Sequence, residues 1–531
     1  MGRKKKELSY YEGKYKGKYL DDDTCRILDT IIHLSKENGY IRDLKNCIYD
    51  LTPKDVDLVC STRSNDMVEN RDLGELTDAQ TLGIAFMFYA KRAILGDSVG
   101  MGKTVEVCGL VNLLAEVNKK QGYDTKFLYL TEKNLVDEAQ KKLIRFTGDY
   151  VYPLYGTKDK ISRFLDENSG ELQYSVVASH SVLNSVPFQE YLKSFYADLE
   201  EVPFDIMVID ESGSILGNNS SGIYQNAKAM ADMFDRVILL NATPFEKELI
   251  MYYNQLSFVD DSLLPPKTTF QERYVDIDYS GIYPRPTGKY KNGSEFKNLV
   301  AYRYFGRTRK SIGATMEDCT VDVILSDLSD LQKEMLKRTS IPNMVYDCPG
   351  YFFRNGEFKT DTDTTPKLKD LISLVNMIVD KGESVLIYSP YREAQDAIQE
   401  TLFNYGIYCE VMNGSTKLKD KNEIIRRFKV KDIQVLITNV QKGLDFGSCN
   451  YCIFYSYDSS PNKMSQFEGR MEREYDIIGK HVYLLISRGK ELTRFKSMVS
   501  DRAVANEMFT GSDFSCVMSL LLDKDRMDKL K

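Results

Sequence analysis

Strand-sized apolar runs alternate with amphipathic stretches along much of this chain, and that rhythm limits it to very few folds. Phe127–Leu130, Val176–Ala178, Ile206–Ile209 and Val237–Leu240 are each long enough for one strand. Between several of them lie stretches with helical spacing of apolar residues, among them Val105–Val117 and Leu135–Phe146. Strands apolar at nearly every position must be covered on both faces, and interleaved helices supply the cover. A parallel sheet wrapped by helices is therefore expected from Leu76 onward. The rhythm breaks between about 250 and 365, in a stretch rich in Tyr, Lys, Gly and Pro. There Asn355-Gly356, between Tyr351–Phe353 and Phe358–Thr360, reads as a hairpin. Alternation resumes with a helix carrying Leu371, Leu374, Val375 and Ile378 on one face, then strands at Val385–Tyr388, Val435–Ile437, Tyr451–Tyr455 and Val482–Ile486. The expected class is α/β: two parallel-sheet units joined by an irregular, partly helical insert, behind a small N-terminal segment. The boundaries read as 1–75 for a basic tail and accessory helical segment, 76–260 for the first unit, 261–365 for the insert and 366–531 for the second unit.

Composition narrows the function. At 531 residues the chain has room for two to four domains. No apolar run approaches the ~18 residues of a membrane helix, and the basic N-terminus has no apolar stretch behind it, so no membrane role and no secretory signal are expected. A net charge of −7 argues against a protein that coats nucleic acid by uniform basicity, but not against one that grips a phosphate backbone in one groove. Ten Cys, unclustered except for Cys449 and Cys452, suit a reducing compartment, the cytoplasm or nucleus. With only His33, His180 and His481 present, a His-based metal centre is not expected.

The strongest local signal is Asp97-Ser98-Val99-Gly100-Met101-Gly102-Lys103-Thr104, opening the helix from Val105. Consecutive backbone N–H groups over Ser98–Gly102 can cradle phosphate oxygens at the helix N-terminus, where the dipole favours negative charge. Gly100 and Gly102 let the backbone approach closely, Lys103 reaches the β- and γ-phosphates, and the Thr104 hydroxyl ligates Mg²⁺. A Gly-containing turn before an ordinary helix would look similar. Gly-x-Gly-Lys-Thr running into an amphipathic helix favours the phosphate site. A second element, Asp210-Glu211, ends the apolar run Ile206–Ile209. A carboxylate there can hold Mg²⁺, and the next can orient an attacking water. A third is Gln466-Phe467-Glu468-Gly469-Arg470-Met471-Glu472-Arg473, in which Arg470 and Arg473 share a helix face and can stabilise charge on a transferring phosphoryl group.

With these motifs in this order, the stretch from Leu76 to Ile486 resembles the helicase superfamily two ATPases and, within them, the Swi/Snf-related group. The resemblance implies two tandem RecA-like lobes that hydrolyse Mg-ATP in the cleft between them. It makes Asp97 the acidic residue that group places before Gly-x-Gly-Lys-Thr, and Gln80 the glutamine that reads adenine. Asn241-Ala242-Thr243-Pro244 resembles the coupling motif, and Asn413-Gly414-Ser415-Thr416 the family's Asp-Gly-Ser-Thr segment. Thr438 to Asp445, with Gly443 and Asp445 toward the nucleotide, resembles the motif linking nucleic acid to ATP. Asp458, Pro461 and Gln466 keep the spacing of the approach to the arginines. Two departures stand out: Gly213 replaces the His of Asp-Glu-Ala-His, and Glu474-Tyr475-Asp476 replace the usual Ile-Gly-Gln.

The resemblance implies an ATP-driven motor on nucleic acid, with duplex DNA the expected track. An RNA-directed or transcript-releasing helicase is the enzymatic alternative, and a nucleic-acid-binding scaffold with a nucleotide switch is the alternative of another class. The strand-gripping segments are expected near Thr131, Ser179, Ser415 and Thr438. Basic clusters stand at Arg303, Arg307, Arg309 and Lys310, and at Lys417, Lys419, Lys421, Arg426, Arg427 and Lys429. The Lys-, Asn-, Ile- and Tyr-rich texture suggests an AT-rich genome, a bacterium or its phage.

Overall fold

The computed structural model describes residues 76, 78–97, 101–169, 172–199, 201–242, 248–280, 285–300, 303–306, 320–339, 342–349, 365–439, 446, 449–457, 464, 467 and 480–496. The chain divides into two compact units, 1–314 with 506–512, and 315–505 with 513–531.

The first unit is built on a seven-stranded sheet. Its elements run α1 (Asp78–Ala90), β1 (Arg92–Leu95), α2 (Lys103–Gln121), β2 (Phe127–Thr131), α3 (Val136–Thr147), β3 (Val151–Leu154), α4 (Lys158–Glu167), β4 (Ser175–Ser179), α5 (Val186–Leu199) and β5 (Ile206–Asp210). Then come α6 (Gly213–Leu216), α7 (Gly222–Ala231), β6 (Arg236–Leu240), α8 (Leu249–Val259), α9 (Lys267–Tyr274), β7 (Val275–Asp278), β8 (Arg285–Tyr290), α10 (Gly293–Val300) and β9 (Tyr304–Phe305). The strand order is β3-β4-β2-β5-β6-β1-β9, and every described pair is parallel. β2 and β4 are buried at all five positions, as their unbroken apolar runs require when helices cover both faces. α2 begins beside Gly102 at φ 83° and ends at Gly122 at φ 93°, a left-handed conformation that glycine adopts without steric cost.

The second unit is a six-stranded parallel sheet in the order β10-β15-β14-β11-β13-β12. Its strands are β10 (Thr320–Ser326), β11 (Val385–Tyr388), β12 (Cys409–Met412), β13 (Val435–Thr438), β14 (Tyr451–Phe454) and β15 (His481–Ser487). The helices are α11 (Asp330–Leu336), α12 (Pro342–Asp347), α13 (Pro366–Val379), α14 (Arg392–Asn404) and α15 (Leu418–Lys429), with a further helix over 490–496. Period-two alternation sends Leu386 and Tyr388 into one apolar layer and Val385 and Ile387 into the other.

The strands expected for the two sheet units form, within a residue or two at their ends. The stretch read as an irregular insert is more ordered than its texture suggested. It contains the antiparallel ribbon β7–β8 and gives an edge strand to each sheet, β9 beside β1 and β10 beside β15. β9 is only two residues long, too short for a pattern, whereas the apolar run in Thr320–Ser326 was legible in principle. The hairpin at Asn355-Gly356 and the segment before residue 76 lie outside the described residues.

Candidate nucleotide site

In an open parallel sheet, ligands bind beyond the carboxyl ends of the strands. Both first-unit motifs stand there, Asp97 after β1 and Asp210 at the end of β5. β6 is the strand between β1 and β5, so the two ends are about 10 Å apart, two strand spacings. α2, nineteen residues long, points its N-terminus at this edge, and no side chain caps Gly102. A helix N-terminus, where the dipole favours negative charge, suits a phosphate. Lys103 turns back across the loop, its Nζ donating to the Asp97 carbonyl at 2.6 Å. Burial lowers the Lys103 pKa, against the opposing pull of Asp97, Glu211, Asp210 and Glu106. The cation thus lies in the field of both carboxylates of the second motif.

The Asp210 carboxylate accepts from the Glu211 N–H at 3.0 Å and lies 3.5 Å from the Thr131 hydroxyl. Burial, with Glu211 adjacent, raises its pKa to about 6, while Tyr129, Lys103 and the Glu211 N–H work against the rise. Glu211 sits at φ 49°, in the left-handed region, at the corner where the chain leaves β5. Ser214 pins that corner with its N–H and hydroxyl on the Glu211 carbonyl, at 3.0 and 2.8 Å.

Two residues that the sequence reading missed complete the surroundings. Tyr129, buried in β2, places its hydroxyl within hydrogen-bonding reach of both Asp210 and Thr104, and burial drives its pKa well up. His180, buried just past β4, holds the Asp210 carbonyl through Nε2 at 2.9 Å. Nothing in the sequence marks either one, because Tyr129 sits inside an apolar run and His180 is an isolated histidine.

The residues present suit Mg²⁺ with a nucleoside triphosphate. Mg²⁺ takes one or two protein oxygens and completes its shell with water and phosphates, and Thr104 and Asp210 share Tyr129 as a neighbour. Among the described residues no group of three or more His, Cys, Asp or Glu is arranged for a metal ion. Cys449 is a buried thiol bonded to the Ser384 and Tyr451 carbonyls at 3.3 and 3.0 Å, and burial pushes its pKa up to about 11.

Gln80 lies on α1, which packs against α2, and Asp97 and Met101 are buried. Ser98, Val99, Gly100, Thr243, Pro244, Gly443, Asp445, Asp458, Pro461, Gln466, Arg470 and Arg473 lie outside the described residues. Asn413 to Thr416 form a turn in which the Asn413 carboxamide accepts from Ser415 N–H and hydroxyl at 3.1 and 2.7 Å. Of the hydroxyls expected near the nucleic acid, Thr131, Ser179 and Thr438 are buried at strand ends, while Ser415 is exposed. Of the basic clusters, Arg307, Arg309 and Lys310 lie outside the described residues. Arg303 pairs with Asp260 at 2.9 Å, Arg426 with Glu423 at 2.6 Å, and Arg427 with Asp432 and Glu410 at 2.8 and 3.2 Å. These guanidiniums satisfy local carboxylates, a partnering that a one-dimensional count of basic residues does not reveal.

Two successive parallel-sheet units, the first with Lys103-Thr104 opening a helix after one strand and Asp210-Glu211 after another, have the frame of a helicase-type ATPase. The sequence pattern of the SNF2-related domain matches residues 79–380, and that of the helicase conserved C-terminal domain matches 366–474. The chain belongs to the SNF2-related family of ATPases. It is 24% identical over 413 residues to a chromodomain-helicase-DNA-binding protein 1-like of Danio rerio, covering 72% of this chain and 38% of that one. It is 23% identical over 438 residues to the uncharacterized ATP-dependent helicase YqhH of Bacillus subtilis, covering 75% and 72%. With the DNA repair and recombination protein RAD54B of Gallus gallus the identity is 21% over 469 residues, covering 75% and 49%. The chain thus spans well under half the length of the Danio rerio relative and about half that of the Gallus gallus one. Among solved structures it is similar to the Sulfolobus solfataricus SWI2/SNF2 ATPase core in complex with dsDNA, at TM-score 0.38 and 17% identity, covering 88% of this chain and 96% of that one. Among the described residues no helix is long and apolar enough to cross a membrane.

Proposed function

We propose that this protein is a Mg-ATP-driven motor that moves along duplex DNA. The observation that carries the reading is one sheet edge at which Lys103, at the N-terminus of α2, lies in the field of Asp210 and Glu211. Lys103 would neutralise the β- and γ-phosphates, and Thr104 and Asp210 would hold Mg²⁺, which when bound supplies positive charge to the phosphates. Glu211 orients and deprotonates the attacking water. Gln80, the backbone of 97–102, Gly443, Asp445 and Gln466 bind the nucleotide, and Arg470 and Arg473 meet charge that develops during transfer. The 76–260 and 366–531 segments are the two motor lobes in this reading, each taking strands from the segment between them.

Duplex DNA is favoured over RNA because the family is SNF2-related and DNA stands in the names of relatives such as the Danio rerio and Gallus gallus proteins. The bacterial and eukaryotic origins of the relatives suit a bacterial cytoplasm or a nucleus. The test compares phosphate release with duplex DNA, single-stranded DNA and RNA. Duplex DNA should stimulate most, and a triplex-forming strand should be displaced. Stimulation by RNA alone supports the RNA-directed alternative, and nucleotide binding without turnover supports the scaffold.

A further inference from the structure

A buried polar junction lies behind the site, in a layer where packing alone calls for none. Gln255 on α8 is fully enclosed, amid the buried apolar residues Leu249, Tyr252, Leu256, Phe258 and Val259 of the same helix. Its Oε1 accepts from the Ser212 hydroxyl at 3.1 Å and from Asn241 Nδ2 at 2.7 Å, and its Nε2 donates to the Met251 carbonyl at 3.1 Å. Ser212 and Asn241 are buried as well. A carboxamide here is costly unless its partners are in place, whereas an apolar side chain of like size carries no such requirement. The amide therefore specifies an arrangement.

That arrangement spans three strand ends. Ser212 follows Glu211 at the end of β5, and its N–H donates to the Leu240 carbonyl of β6 at 3.1 Å. Asn241 follows β6, and its N–H donates at 3.1 Å to the carbonyl of Leu95 in β1, two residues before Asp97. A Cβ on Gly213 would come within 2.6 Å of Asn241 Nδ2, so the Asn241 amide takes the space a side chain there would need. The neighbouring Asn254 donates to the Gly217 carbonyl at 2.7 Å, so α8 holds the 212–217 segment at two points.

We propose that Gln255 is a positioning residue for hydrolysis, which locks the turn carrying Glu211 to the ends of β6 and β1 through Ser212 and Asn241. The proposal rests on the reading of Glu211 as the residue that orients water. Steady-state hydrolysis with duplex DNA is measured for wild type, Lys103→Ala, Gln255→Leu, Gln255→Glu, Ser212→Ala and the Ser212→Ala/Gln255→Leu double variant, each below its own melting midpoint. Gln255→Leu should lower kcat about ten- to hundredfold, because a misplaced group loses its near-attack geometry. KM for ATP should change less than about twofold, since the lost interaction does not bind ground-state nucleotide. In its neutral form Gln255→Glu accepts both bonds on one oxygen and donates from the other to the Met251 carbonyl, so it should keep most of the wild-type kcat, and Ser212→Ala should fall between. The double variant should be no slower than Gln255→Leu, because the link is already cut. Wild-type hydrolysis that Lys103→Ala abolishes, with undiminished kcat in Gln255→Leu, overturns the positioning role and leaves the motor standing. Equal kcat losses in the Leu and Glu variants also overturn it, since keeping the acceptor oxygen would then protect nothing. No hydrolysis by wild type overturns the motor and this inference together. Should Gln255→Leu not fold, Ser212→Ala carries the same test, and a wild-type kcat there counts against the proposal.

Discussion

At the scale of single residues, charge placement is the determining quantity. Lys103 lies among Asp97, Glu211, Asp210 and Glu106, whose negative charge suits a metal ion, while the ammonium suits the phosphates that such a metal carries. Lys103→Ala is expected to abolish hydrolysis, and Glu211→Gln to keep ATP binding while stopping turnover. Losses of about 10²–10³ in kcat accompany removal of one such group. Purified variants assayed for phosphate release and for binding of a fluorescent ATP analogue check both, and near-normal turnover in either would remove the role assigned to it. Arg473→Ala should cut kcat far more than it weakens ATP binding, because its partner is charge that appears only during transfer. Comparable changes in kcat and in nucleotide affinity would count against that role.

At the scale of elements, part of the stretch read as a connector is tied into the second unit by a buried ionic cluster. Lys367 on α13 donates to Asp347 on α12 at 2.7 Å and to Glu491 of the 490–496 helix at 3.2 Å, all three residues being almost wholly enclosed. The Tyr455 hydroxyl donates to the Asp347 carbonyl at 2.7 Å, and the Ser487 N–H to Glu491 at 2.6 Å. Lys367→Met leaves two buried carboxylates facing each other and should destabilise the second unit by about 3–5 kcal/mol. Chemical denaturation followed by far-UV circular dichroism measures this loss. Burial raises the Asp347 pKa to about 6, with Glu491 adding to the rise and Lys367 opposing it. A carboxyl whose folded pKa lies above its unfolded value of about 3.9 takes up protons on folding, so its contribution is complete below that value and is lost as pH rises toward 6. The melting midpoint of wild type should therefore gain on Asp347→Asn as pH falls from 7 to 4. Parallel profiles for the two would refute the assignment.

At the scale of the whole molecule, a net charge of −7 means that affinity for DNA must come from local grooves. A motor that follows a duplex holds phosphates and needs no base readout. Its binding should weaken steeply with salt, with a log–log slope of about −0.9 for each phosphate contacted, and show little sequence preference. Titrations of labelled duplexes of differing sequence across a salt series measure both. A flat salt response would remove the backbone-tracking reading.

Much of the architecture was legible in one dimension because its causes are local. Strands covered on both faces must be apolar throughout, so Phe127–Thr131 and Ser175–Ser179 announced themselves, and Gly102 before Lys103 marked the helix start. Spacing alone likewise put Asp210 at a strand end. Partnership between distant segments was not legible. Only folding committed Arg303 to Asp260, placed the Tyr129 hydroxyl beside Asp210, and seated β9 against β1. The Ser212–Gln255–Asn241 junction is of the same kind, joining residues up to 43 positions apart. Side-chain type and local period are written along the chain, whereas which hydrogen-bonding group meets which depends on strand order and helix packing, and these are fixed only when the sheet closes around its core.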